Sequence, residues 1–167
     1  MIINRHIHSG SRAVIAAAIL LSASASFAAD TSGSNSSTQT ATPDTLVTAR
    51  QQISAKLWPQ ALAELRRVND TGNADWNNLM GYSLRKAAAP DYAGAEKYYD
   101  EALRIDPKHR AALEYSGELY LMTNKLPQAE QRLAALDKAC TFGCPEYTDL
   151  KKAVQRYKAN GNQYVAE

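Results

Sequence analysis

Histidine is scarce in this chain, and its scarcity excludes much chemistry at once. Three histidines occur in 167 residues, and since His6 and His8 precede residue 30, only His109 lies in the body of the chain. A zinc site of two or three histidines cannot form there, and a serine–histidine–acid arrangement would have to rest on His109. The sequence has no G-x-S-x-G elbow and no glycine-rich phosphate loop. Long apolar runs are missing as well: Ala13 to Leu21 falls well short of the roughly 20 residues needed to span a bilayer. Positive charge is also less abundant than the formal net charge of +2 implies. Arg5 and Arg12 stand in a segment with no acidic residue before Asp30, and beyond it 17 basic residues face 17 acidic ones. Nucleic-acid binding draws on a surplus of Lys and Arg, and none is left.

What the first 43 residues do contain is ordered by type. Arg5 and Arg12 give a positively charged start, Ala13 to Leu21 an apolar core, and Ser22 to Ala29 a stretch of small residues. That succession is the pattern of a cleaved export signal. Ser26 and Ala28 favour cleavage after Ala28, with Ala23 and Ala25 marking an earlier alternative. No cysteine lies near the cut, so a lipid anchor is not expected, and the product would be periplasmic or secreted without a membrane anchor. Residues 29–43 read as a disordered linker. Between Asp30 and Pro43, eight of fourteen residues are Ser or Thr and none is large and apolar, so burial cannot offset the ordering entropy.

From Asp44 the chain repeats itself. Trp58, Tyr92 and Leu126 are 34 residues apart, as are Ala61, Ala95 and Ala129, then Leu65, Tyr99 and Leu133, then Val68, Ala102 and Leu136. A fixed period of 34 is that of one helix–turn–helix unit. Each set, such as Trp58, Ala61, Leu65 and Val68, forms one stripe of a helix. The alanine column admits a close helix crossing, with Ala49, Gly81 and Gly117 as the small residues of the preceding helices. Pro59 and Pro127 suit a first helical turn, and Pro107 marks the end of a unit.

The stretch from Trp76 to Pro107 resembles the tetratricopeptide repeat, with Gly81, Tyr92, Ala95, Tyr99, Ala102 and Pro107 on its signature positions. The third unit resembles it through Gly117, Tyr120, Ala129 and Leu133, and the first mainly through Trp58 to Val68. The middle unit departs by about two extra residues in its turn, around Ala87 to Pro90, and Trp76 stands one residue off the family's tryptophan. The resemblance implies an all-α, right-handed solenoid of three helix pairs over residues 44–137. Residues 138–159 would form a turn and a capping helix, with Tyr147, Leu150, Val154 and Tyr157 on its apolar stripe, stopped by Asn160-Gly161. Residues 160–167 would form a tail.

Cys140 and Cys144, the only cysteines, are spaced C-x3-C. In an exported chain an even count favours a disulfide. A regular helix would hold the two Cβ atoms too far apart, so the bridge is expected to close a turn between the third pair and the cap. The competing reading is a thiol or copper site, because CTFGCP is similar to the C-x3-C-P of some copper-delivery proteins. Those proteins use a thioredoxin-like sheet and a distant histidine, and no sheet is legible here.

The resemblance implies binding in place of catalysis, with no cofactor. In this family the first helices of successive pairs line a concave groove that holds a protein or peptide. By alignment the groove positions are Arg50 in the first unit, Asn78, Tyr82 and Arg85 in the second, and Glu114, Glu118 and Met122 in the third. Tyr82 and Arg85 are the expected anchors, pointing into the groove and away from the core. Glu114 and Glu118, one helical turn apart, are expected to form a solvated wall. The Lys/Asn/Arg clamp by which some members grip a C-terminal carboxylate is not reproduced. His109 is expected as a surface residue at a helix start.

Overall fold

The computed structural model describes residues 44–165. The expected export signal, the whole of the expected linker and the last two residues of the tail lie outside the described residues. Seven helices follow in order: α1 (Val47–Ser54), α2 (Trp58–Val68), α3 (Ala74–Lys86), α4 (Tyr92–Ile105), α5 (Arg110–Met122), α6 (Leu126–Ala139) and α7 (Pro145–Ala159). Among the described residues there is no strand, and no helix long and apolar enough to cross a membrane.

Local chemistry sets the helix boundaries. Asn73 and Asp91 cap α3 and α4, their side-chain oxygens accepting from Trp76 N–H and Gly94 N–H. Pro59 and Pro127 fall in the first turns of α2 and α6, and Pro145 opens α7. The first and third pairs use the same turn. Leu57 N–H donates to the Gln52 carbonyl and Lys125 N–H to the Tyr120 carbonyl. Between them Lys56 (φ 58°) and Asn124 (φ 59°) take the left-handed conformation that closes a helix in this way. The matching residue of the middle pair is Pro90, whose ring fixes φ near −65°. The middle turn is therefore built differently, on a longer connection in which Asp91 N–H donates to the Leu84 carbonyl. This is the physical reason for the extra residues at Ala87 to Pro90.

The repeating columns form the core. Ala49, Ala61, Leu65, Ala95, Tyr99, Ala102, Ala129 and Leu136 are all fully buried. Gly81 marks the crossing of α3 and α4: a Cβ there would lie 2.8 Å from the Tyr99 ring and 3.1 Å from the Ala95 carbonyl. Gly117 serves a different crossing. Its close neighbour is Leu150 of α7, 2.5 Å from where a Cβ would sit. Leu150, Ala153, Val154 and Tyr157 carry α7 onto the third pair as a cap. The Cys140–Cys144 disulfide spans the turn between α6, which runs on to Ala139, and α7. Asn160 and Gly161 end α7, with Asn162 N–H donating back to the Tyr157 carbonyl.

Trp76 is buried in spite of its displaced position, and its indole N–H donates to the Leu65 carbonyl at 2.8 Å. It thereby fixes α3 on α2.

Helix-to-helix contact is unequal on the two sides of the stack. The first helices of successive pairs approach one another closely in series, α1 with α3, α3 with α5 and α5 with α7, whereas the backbones of α2 and α4, and of α4 and α6, stay apart. A stack closed on one side and splayed on the other curves, with α1, α3, α5 and α7 on the inside.

Candidate peptide-binding groove

The inner helices bring most of the expected groove residues together. Tyr82 of α3 is half-buried between two other rings: Trp58 meets it edge-on at 5.9 Å, and Tyr115 of α5 lies 4.7 Å away at a 39° tilt. Trp58 thus leaves the buried stripe of α2, on which Ala61 and Leu65 remain, and turns toward α3. Tyr115 is a member of this row that the alignment passed over. It stands on one helical stripe with Glu118 and Met122, so carrying that stripe back one turn would have found it.

Arg85 does not project into the groove. Its side chain is 1% exposed, and its Nη1 donates to Glu118 Oε2 at 2.6 Å. The guanidinium sits 5.5 Å from both the Tyr82 and Tyr115 ring centres, with Met122 Sδ at 3.8 Å. A buried cation needs a partner, and here it has a carboxylate and two aromatic rings. The expectation of an exposed arginine anchor is therefore corrected: Arg85 supports the aromatic row from beneath. Asn78 is buried as well, with no hydrogen-bond partner for its Oδ1, and is not an open groove residue.

The acidic wall is only partly solvated. Glu118 is 22% exposed and bonded to Arg85. Glu114 is partly buried, and its pKa is pushed up to about 8, first by burial and then by Glu118, Asp149 and Glu146 nearby. Burial also pushes the Tyr115 hydroxyl up to about 12 and raises that of Tyr82. Solvent reaches these groups only in part, because α5 packs between α3 and the α7 cap here.

Arg50 lies at the other end of the inner face. It pairs with Asp44 at 2.7 Å and Asp75 at 2.8 Å. Asp75 also meets His109 Nε2 at 2.9 Å, while His109 Nδ1 accepts from Ala112 N–H. The imidazole therefore carries its hydrogen on Nε2 and donates it to Asp75. Only 11% of its side chain is exposed, so His109 is the cap of α5 and not an open surface residue. The series Arg50–Asp75–His109 ties the starts of α1, α3 and α5 in a line.

The Cys140 and Cys144 sulfurs are joined to each other in a disulfide.

No curated protein matches the chain. Residues 86–159, from the last residue of α3 through the whole of α7, match the family model described as tetratricopeptide repeat. Residues 86–159 therefore carry tetratricopeptide repeats, and the 34-residue columns extend the same pattern back to α2.

Proposed function

We propose that the protein is an exported adaptor that holds a segment of another protein against its inner face and carries out no catalysis itself. Tetratricopeptide repeats are protein-interaction scaffolds, and the observation that supports this use of the inner face is the Trp58–Tyr82–Tyr115 row. Half-buried aromatic rings held in place by neighbours are favourable contact points, because little side-chain freedom is lost on binding. Arg85 and Glu118 fix the rings from below, and Glu114 with Met122 flanks them. The carboxylates of Glu118, Glu146 and Asp149 stand around Glu114 at this end of the face, which favours a basic segment.

The test uses the full chain as bait on an envelope fraction, beside Tyr82→Ala and Tyr115→Ala. Each substitution is expected to weaken capture of a partner by roughly thirtyfold, about 2 kcal/mol, and a change on the outer side such as Gln131→Ala should leave it intact. A partner captured equally by all four proteins would place the interface elsewhere. Sequencing the N-terminus of protein from its native compartment tests export, with a start between Ser26 and Asp30 expected and an intact Met1 refuting it.

A further inference from the structure

The splayed outer side of the stack holds two wedges, and they are filled differently. The wedge between α4 and α6 is latched shut. Arg132 pairs with Asp100 at 2.6 Å, Lys125 with Glu96 at 2.8 Å, and both cations sit over the Tyr120 ring at 5.5 and 5.6 Å. The wedge between α2 and α4 has no such latch. One period of 34 back from Asp100 stands Arg66, and one period back from Arg132 stands Tyr98. The repeat has replaced an acid–base pair with a cation and an aromatic ring, so nothing draws the two helices together.

What remains is a cavity of about 630 Å³, within the range of small-molecule sites. Its floor is apolar: Trp76 and Met80 of α3 are buried, and Tyr98 of α4 meets Trp76 edge-on at 5.8 Å. Its lining includes Arg66, Lys97 and Arg104 against a single acid, Glu101. Arg104 is satisfied by Glu101 through two bonds of 2.8 and 2.7 Å. Among the described residues neither Arg66 nor Lys97 has an ion-pair partner. Two unneutralised cations therefore stand at the walls of an aromatic-floored cavity, one from each helix.

We propose that this outer wedge is a binding site for a small amphipathic carboxylate, its aryl or alkyl body on Trp76, Met80 and Tyr98 and its carboxylate between Arg66 and Lys97. The ligand would supply the negative charge that Asp100 supplies in the neighbouring wedge, and so complete a latch between α2 and α4. The site is independent of the inner groove and does not rest on the function proposed for it.

The probe is 3-phenylpropionate, titrated calorimetrically into the full chain beside its uncharged amide. The acid is expected to bind and the amide to bind at least about tenfold more weakly, since hydrogen bonds between ionised partners are roughly twice as strong as neutral ones. Arg66→Gln combined with Lys97→Gln, both exposed and unpaired and so harmless to folding, should weaken the acid by a similar factor and leave the amide unchanged. Tyr82→Ala, in the inner groove, should leave both unchanged. Absence of binding, equal binding of acid and amide, or binding indifferent to the double substitution would each overturn the proposal.

Discussion

Arg85 and Glu118 are joined across 2.6 Å, from the last turn of α3 to the middle of α5, directly beneath two tyrosine rings. The pair is asymmetric, since the arginine is enclosed and the glutamate reaches solvent. Removing the glutamate strands a buried cation, whereas removing the arginine leaves an acid that water can serve. Glu118→Gln should therefore cost about 3 kcal/mol or more, and Arg85→Met, which keeps the volume, should cost less. Urea unfolding of both variants gives the comparison, and equal losses would contradict the asymmetry.

The two inner glycines should differ in tolerance. A methyl at Gly81 meets a buried ring and a backbone carbonyl that cannot turn aside, whereas one at Gly117 meets the end of the Leu150 side chain, which can. Gly81→Ala is expected to destabilise by about 1–3 kcal/mol. Gly117→Ala should lose less, because its overlap relaxes and alanine favours a helix interior by about 1 kcal/mol over glycine. Thermal melts that ranked them in the opposite order would refute the reading that the crossing of α3 and α4 is the less yielding one.

Glu114 gives the fold a pH dependence of definite sign. The folded chain keeps this proton up to about pH 8, while the ordinary carboxyl value is near 4.5. Between those values the folded state binds more protons than the unfolded one, so this group makes stability fall as pH rises through that window. Glu114→Gln removes the effect. Its melting temperature should match the parent's near pH 4 and exceed it above pH 8, and a constant difference across that range would count against a buried Glu114.

Reduction of the Cys140–Cys144 bridge should act on α7 alone. A loop of this length contributes roughly 2 kcal/mol by restricting the unfolded chain. The bridge pins the turn leading from α6 into the cap. Hydrogen exchange after reduction should quicken along Pro145–Ala159 and stay slow in α3 and α4. Uniform loss of protection would show that the cap and the stack unfold together.

The helices were legible because a 34-residue period and a small-residue column constrain one another: Ala61, Ala95 and Ala129 could hardly serve any other fold. Pro90 also marked the middle turn as different. The site was legible by position but not by burial. The enclosure of Arg85 has no local signal, because its partner lies 33 residues away, on another helix. The sequence does not state the angle at which α3 meets α5, and a turn of a few tens of degrees separates an exposed arginine from an enclosed one. The partial burial of Glu114 and Glu118 is hidden for the same reason, since a spacing of four places two acids together without revealing what covers them. The outer wedge left a trace that only the contacts make readable, the exchange of Asp100 and Arg132 for Arg66 and Tyr98 one period earlier.

The unequal latching of the two outer wedges also has a mechanical meaning. The Arg132–Asp100 and Lys125–Glu96 bonds brace the stack between α4 and α6, and nothing corresponding braces it between α2 and α4. Bending on the outer side is therefore resisted unequally: by two ion pairs between the second and third helix pairs, and between the first and second only by ties that lie further in, the Trp76–Leu65 bond and the Arg50–Asp75 pair.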